Sequence, residues 1–263
     1  MSEQSDPATA RIRGIHQISD IGFRWSMEDR HVLEVRPTLG LFGGVYDGHG
    51  GVEAAEIVAA SLHEAFFRAH DAGFPPAQAF RVAYRGVEQK LQGVDSGATA
   101  VTVFLTGDEL TFAHVGDGGI LLVAGGPITL TQPHRVEDPL ERSRIIAAGG
   151  EIEGGYVVRG HRGLMPTRSF GDAYFRPVGV MAEPTVGEQR LGPEDRYLVV
   201  ACDGLFDVLG AGEIAHTILQ SAGAREGGES LRDEVLGRGG TDNLTLLVVE
   251  FGTEQDPSSG LRG

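Results

Sequence analysis

Val103–Gly126 reads VFLTGDELTFAHVGDGGILLVAGG. It holds the end of one apolar run, Ala98–Leu105, and two more, Leu110–Val115 and Ile120–Val123, joined by short turns that contain glycine. Turns this short leave no room for a crossover helix. The three runs are therefore expected to be antiparallel strands joined by hairpins, not parts of βαβ units. Working outward, Leu39–Tyr46, Tyr197–Cys202 and Leu244–Phe251 have the same length and β-branched content and are also read as buried strands. Helical spacing appears in Val52–Ala72, through Ala55, Val58, Leu62, Phe66 and Ala69, and in Ala77–Leu91, through Phe80, Ala83, Val87 and Leu91. A third helix is predicted over Pro139–Ala148, with Asp138 as its N-cap and Pro139 at its first position. Two more are predicted over Ala211–Ala222 and Glu229–Leu236. The order implies an α+β chain of antiparallel sheets covered by helices, not a doubly wound parallel sheet.

Composition narrows the function. The 263 residues carry 22 basic and 37 acidic side chains, a net charge of −15, which argues against nucleic acid or an anionic membrane as partner. No apolar run approaches a membrane span, and the start lacks the order of a signal peptide, so a cytoplasmic protein is expected. Cys202 is the sole cysteine, which excludes an intrachain disulfide and a cysteine-rich metal site. Lys90 is the only lysine and Asn243 the only asparagine, a bias that suggests a GC-rich, bacterial genome. With no interior linker or repeat, residues 1–252 are read as one domain, opening on a polar segment (1–10). Residues 253–263 are read as a disordered tail.

The acids sit at strand ends. Asp47 follows Gly43–Tyr46, Asp203 follows Leu198–Cys202, and Asp242 precedes Asn243–Val249. Any one of them could be an ordinary turn residue. If the strand ends converge, three carboxylates share a small volume, and cations between them offset their repulsion. Oxygen-only ligands suit Mg²⁺ or Mn²⁺. Glycines after two of these acids, in Asp47-Gly48-His49-Gly50-Gly51 and Asp203-Gly204, would let the backbone bend so that a carbonyl also faces a cation. Arg24-Trp25-Ser26-Met27-Glu28-Asp29 adds two carboxylates and a guanidinium, which either grips a phosphate or forms a surface ion pair.

These motifs, followed in order by Ser96-Gly97-Ala98-Thr99-Ala100, Gly116-Asp117, Ala148-Gly149-Gly150, Arg168-Ser169-Phe170-Gly171-Asp172, Glu183-Pro184, Ala201–Asp207 and Gly240-Thr241-Asp242-Asn243, resemble the type 2C family of metal-dependent serine/threonine protein phosphatases. The resemblance spans Arg13 to Phe251. It implies a sandwich of two antiparallel β-sheets flanked by helices, in α-β-β-α layers. It also implies a binuclear Mn²⁺ or Mg²⁺ centre that activates a water for direct attack on a phosphomonoester. Carried over by position, Asp47 bridges both metals, Gly48 lends a carbonyl, and Asp203 and Asp242 complete the first metal's ligands. Glu28 supports the second metal through water, and Asp29 stands behind the ligands. Arg24 holds the phosphate, and His49 is the general acid. Asp117 and Asp207 are expected to help hold a weaker third metal, with a loop cap as the alternative for Asp207. Phosphoserine and phosphothreonine proteins are the implied substrates, a Ser/Thr kinase the implied counterpart, and a monomer the expected state.

The sequence departs from the family pattern in places. Gly118-Gly119 stand where Ser-Arg is usual, and Pro133 replaces an aspartate before His134, with Arg135-Val136 also unusual. Neither change is expected to touch a metal ligand. The chain between Gly150 and Arg168 is short, which implies a small flap. Cys202 is read as a small core residue. Two other functions fit the same fold: an inactive regulatory pseudophosphatase, and a phosphohydrolase for small phosphate esters. Loss of Asp47, Asp203 or Asp242 would favour the first, and all three are present.

Overall fold

A computed structural model describes Thr9 and residues 11–252. The expectations for the N-terminal segment and for the tail at 253–263 lie outside the described residues. The chain runs β1 (Ile12–Asp20), β2 (Arg30–Arg36), β3 (Gly40–Tyr46), β4 (Gly48–His49), α1 (Glu53–Asp71) and α2 (Pro76–Lys90). It continues through β5 (Gly97–Ala98), β6 (Ala100–Thr106), β7 (Glu109–Val115), β8 (Gly119–Val123), β9 (Pro127–Thr129) and α3 (Pro139–Ala147). Then come β10 (Glu151–Glu153), β11 (Tyr156–Arg159), β12 (Arg162–Leu164), β13 (Phe170–Gly171), β14 (Thr185–Arg190) and β15 (Tyr197–Ala201). Three helices, α4 (Asp203–Phe206), α5 (Ala211–Leu219) and α6 (Ala224–Gly237), precede the last strand, β16 (Leu244–Phe251).

Two five-stranded antiparallel sheets form the centre, ordered β1-β16-β15-β8-β9 and β14-β7-β6-β3-β2. Strand alternation assigns each side chain to one face. Leu198, Val200, Leu247 and Val249 meet Leu41, Val101, Val103 and Leu105 between the sheets. The intervening Val199, Leu246 and Val248 pack under Ile214, Ile218, Leu231 and Val235 of α5 and α6. On the other sheet, Phe42 and Phe104 turn outward against Phe66, Phe67 and Phe80 of α1 and α2. Both faces of both sheets are thus covered, giving the α-β-β-α layers. Covered faces also explain why the central strands read as unbroken apolar runs rather than as alternating ones.

The predicted helices form, with one extension: α6 starts at Ala224, five residues before the expected Glu229. Its first turns carry Gly227 and Gly228, which hid the helical period, yet both are buried. At α3, the Asp138 carboxylate accepts hydrogen bonds from Leu140 N (2.7 Å) and Glu141 N (3.3 Å), as an N-cap should. The chain between Gly150 and Arg168 is a three-stranded antiparallel sheet, β10-β11-β12, beside α3. It closes its own cluster of Val136, Ile145, Val157, Leu164 and Phe175. Among the described residues, no helix is long and apolar enough to cross a membrane.

Candidate metal centre and phosphate site

Strand register carries the acids to one end of the sandwich. In the first sheet Asp20 faces Leu244, Leu246 faces Ala201, and Ala201 faces Gly119. The chain therefore leaves β1, β15 and enters β16 and β8 at the same end, where Asp242, Asp203 and Asp117 lie. In the second sheet Val45 pairs Val101 and Ala100 pairs Val115, which brings the exit of β3, and with it Asp47, alongside Asp117. A cavity of about 510 Å³ opens there, lined by Arg24, Glu28, Asp47, Gly48, His49, Asp117, Asp203 and Asp242.

Electrostatics shows how strained this gathering is. Burial pushes the Asp47 carboxyl well up, and the charges of Asp203, Asp29 and Asp117 push it further. Asp203 is raised by burial and then by Asp117 and Asp207, and Asp29 by burial and then by the charge of Asp242. Buried Asp29 also keeps Oδ2 without a hydrogen-bond partner. Anions that repel one another on the wall of one cavity make a donor set that divalent cations would satisfy. The residues fit the group the sequence implied.

Gly48 is needed for space. A Cβ there would lie 2.5 Å from the Glu28 carbonyl oxygen and 3.0 Å from the Ala55 Cβ. Gly204 likewise sits in α4, and a Cβ would collide with the Asn243 carbonyl oxygen. Both glycines permit close approach; the expected backbone bend falls instead at Gly50 and Gly51, with φ of +68° and +122°.

The loop between β1 and β2 is fastened by Asn243. Its Oδ1 accepts from Glu28 N (2.8 Å), while Nδ2 donates to the carbonyls of Ile21 (2.9 Å) and Ser26 (3.1 Å). That clamp presents Arg24 and Glu28 to the cavity. Glu28 accepts from Ser26 Oγ (3.0 Å) and from Gly51 N (3.2 Å). Arg24 Nη2 donates to Asp242 Oδ2 at 2.6 Å, so the guanidinium sits on one of the candidate ligands, and among the described residues its other donors meet no protein partner.

His49, on β4, faces the cavity with a partner that the sequence reading gave no role. Its Nε2 lies 2.8 Å from Oδ2 of buried Asp172, which also accepts from Ser169 Oγ. Burial alone would lower the His49 pKa; the bond to Asp172 and the charges of Asp172, Asp117 and Glu28 outweigh it, and the net shift is upward. Asp172 takes a left-handed backbone at φ 48°. A Cβ at Gly97 would collide with both His49 Nε2 and Asp172 Oδ2, so that glycine makes room for the pair. Arg168, four residues earlier, binds Glu141 of α3 (Nη2–Oε1 2.5 Å) and the Glu183 carbonyl (2.9 Å), a structural tie rather than a catalytic one.

Asp117, Asp203 and Asp207 do lie together, and α4 joins the last two: Asp207 N donates to the Asp203 carbonyl at 2.8 Å. What they share is Arg135. Its Nε donates to Asp117 Oδ2 (2.7 Å), and its Nη2 reaches Asp207 Oδ1 and Oδ2 (3.1 Å each) and Asp203 Oδ2 (3.4 Å). The expectation that the Pro133 and Arg135-Val136 departures touch no metal ligand is thus corrected, since Arg135 reaches the candidate ligand Asp203. Position 135 lies 18 residues from Asp117 and 68 from Asp203, a separation no periodicity reveals. The Gly118-Gly119 departure also has a cause, since a Cβ at Gly119 would stand 2.5 Å from the Phe206 ring. Cys202 is buried, takes a hydrogen bond from Thr245 N (3.2 Å), and burial pushes its thiol well up.

A tighter acidic group exists elsewhere: Glu34, His63 and Glu64 have ligand atoms within 4.8 Å of one another. Arg36 already serves it, 2.6 Å from Glu34 Oε1 and 3.6 Å from Glu64 Oε1, with its guanidinium over the Phe67 ring.

The sequence model of the protein phosphatase 2C family matches residues 17–244. Probable protein phosphatase 2C 59 of Arabidopsis thaliana is 34% identical over 248 residues, covering 90% of this chain and 79% of that protein. Human protein phosphatase 1F is 34% identical over 273 residues, which cover 95% of this chain but 58% of the human protein. In structure, serine-threonine phosphatase 2C from Toxoplasma gondii superimposes with a TM-score of 0.81 at 22% identity, over 90% of this chain and 94% of that one. By sequence, and with the same fold, the chain belongs to the protein phosphatase 2C family of metal-dependent serine/threonine phosphatases.

Proposed function

We propose that the cavity holds two divalent cations, Mn²⁺ or Mg²⁺, and removes phosphate from phosphoserine and phosphothreonine in proteins. The observation that carries this reading is the cluster of mutually repelling carboxylates at the rim of both sheets, open to solvent and flanked by Arg24 and His49. Asp47, Asp203, Asp242 and the Gly48 carbonyl would hold the pair, with Glu28 reaching it through water and Asp29 supporting the ligands from behind. Bound there, the pair supplies an activated water for in-line attack on phosphorus. No nucleophilic side chain is then needed, which agrees with the high pKa of the buried Cys202 thiol.

The chain's own groups do the rest. Arg24 exchanges its contact with Asp242 for the substrate's phosphate oxygens, where a planar fork can make two parallel bonds. With Nε2 of His49 committed to Asp172, the proton for the leaving alcohol is the one on Nδ1. The bond to Asp172 and the surrounding carboxylates shift the His49 pKa upward, which favours holding that proton. A phosphoprotein substrate pairs the enzyme with the ATP-dependent kinase that makes it, and thereby with a cytoplasmic, signalling role, as a monomer.

The test is hydrolysis of phosphothreonine and phosphotyrosine peptides and of small phosphate esters with Mn²⁺, Mg²⁺ or chelator. Metal-dependent activity strongest on phosphothreonine is expected, and Asp203→Asn should lower kcat roughly 10³-fold or more. Full activity after exhaustive chelation would overturn the metal reading. Activity on small esters alone would move the substrate class.

A further inference from the structure

Arg135 stands where the sequence reading placed a third metal ion. One guanidinium meets three carboxylates: Asp117 through Nε at 2.7 Å, Asp207 through Nη2 at 3.1 Å to each oxygen, and Asp203 through Nη2 at 3.4 Å. The Asp117 side chain is 3% exposed and the Arg135 side chain 23%, so the closest of these bonds is made out of water.

The guanidinium is also delivered by fixed backbone. His134 N donates to the Gly116 carbonyl (2.9 Å), and Gly116 N donates back to His134 Nδ1 (3.2 Å). Thr167 N donates to the His134 carbonyl (2.8 Å), and Val136 is buried in the cluster beneath the flap. Arg135 is therefore tied one residue from a segment bonded directly beside Asp117. Displacing it would mean breaking a charge-assisted network around a side chain that cannot leave. A tethered cation also has no dilution cost, unlike a weakly held ion that keeps most of its waters.

We propose that Arg135 is a built-in cation that takes the place of a third divalent ion among Asp117, Asp203 and Asp207, leaving this phosphatase with two metal sites. This rests on the binuclear reading and replaces the expected third metal. It makes Arg135 a positioning residue. Its contact with Asp203 orients a carboxylate of the binuclear centre, and it offsets charge that Asp117 and Asp207 would otherwise press on that carboxylate.

The experiment is a count of bound Mn²⁺ by isothermal titration calorimetry and by equilibrium dialysis with metal analysis. Two ions per chain are expected for the wild type, and three for Arg135→Ala, the third weaker than the pair. Asp207→Asn, at an exposed residue, should leave the wild-type count at two and remove the added site from Arg135→Ala. Three ions in the wild type falling to two in Asp207→Asn would overturn the proposal. So would equal counts in Arg135→Ala and the wild type. The wild-type count tests the binuclear reading, and the difference between the proteins tests Arg135, so the two can fail separately.

Discussion

Asn243→Asp changes a single amide nitrogen to oxygen, and its cost follows from three contacts. Asn243 is 6% exposed, and its partners are one N–H and two carbonyls, which fixes the amide orientation. An aspartate keeps the bond from Glu28 N but turns both donations into oxygen–oxygen contacts, at what are now 2.9 Å and 3.1 Å. Each acceptor left unmet costs about 1–3 kcal/mol. The loop limits the loss, because Ile21 and Ser26 are exposed and their carbonyls can turn to water once the clamp opens. The expected destabilisation is therefore about 2–3 kcal/mol, or about 4–6 °C in Tm for a chain of this size. Scanning calorimetry in chelator at neutral pH measures it, and limited proteolysis between Ile21 and Glu28 reports the opened loop. A Tm within about 1 °C of wild type, with the loop uncut, would refute the clamp.

His49→Gln should lower kcat by about 10²–10⁴-fold on serine and threonine phosphates and much less on an aryl phosphate, whose leaving group needs little protonation. Asp172→Asn should reproduce part of that pattern in kcat, and equal losses on both substrates would end the general-acid role. Arg24→Ala should chiefly raise KM, by about 1.5–3 kcal/mol of lost charge-assisted bonding; an unchanged KM with reduced kcat would place the phosphate elsewhere. The stacked rings of His114 and His134, with centroids 4.3 Å apart, carry a pH prediction for stability. Burial lowers His114 to about 4 and His134 to about 2, so both stay neutral in the folded state while the unfolded chain takes up protons below about 6.5. Stability from these rings is present above about pH 6.5 and falls as pH drops toward 4, by about 2 kcal/mol per imidazole at pH 5. His114→Phe should flatten that slope in denaturant titrations, and an unchanged slope would exclude the pair as its source.

Covered strands were legible and edge strands were not, for one physical reason. β3, β6, β7, β8, β15 and β16 are buried on both faces, so apolar content alone marks them. β1, β2 and β14 lie at sheet edges with most residues half-buried or exposed, and IRGIHQISD, RHVLEVR and TVGEQR mix charge with apolar residues. Their place in the sheets is set by pairing with a neighbour, which one strand's composition does not encode. The acids were readable because they sit where strands stop, and antiparallel register then gathers those ends.

Partners that act across the fold were the part the chain order hid. Asp172 was visible within Arg168-Ser169-Phe170-Gly171-Asp172, yet nothing local says that it bonds His49, 123 residues earlier. The link runs through Gly97, whose missing side chain makes the space, so three distant segments encode one hydrogen bond. Arg135 is the stronger case. Read in sequence, Arg135 is only a departure from the family pattern, two residues after Pro133. Only the bonds that hold His134 against Gly116 turn it toward Asp117. Carboxylates announce a cation site through their own positions, but the cation that fills it can be protein, and the sequence of the ligands alone does not distinguish the two. Charge counting around the ligands, including every arginine the fold can deliver there, is what separates a third metal from an internal guanidinium.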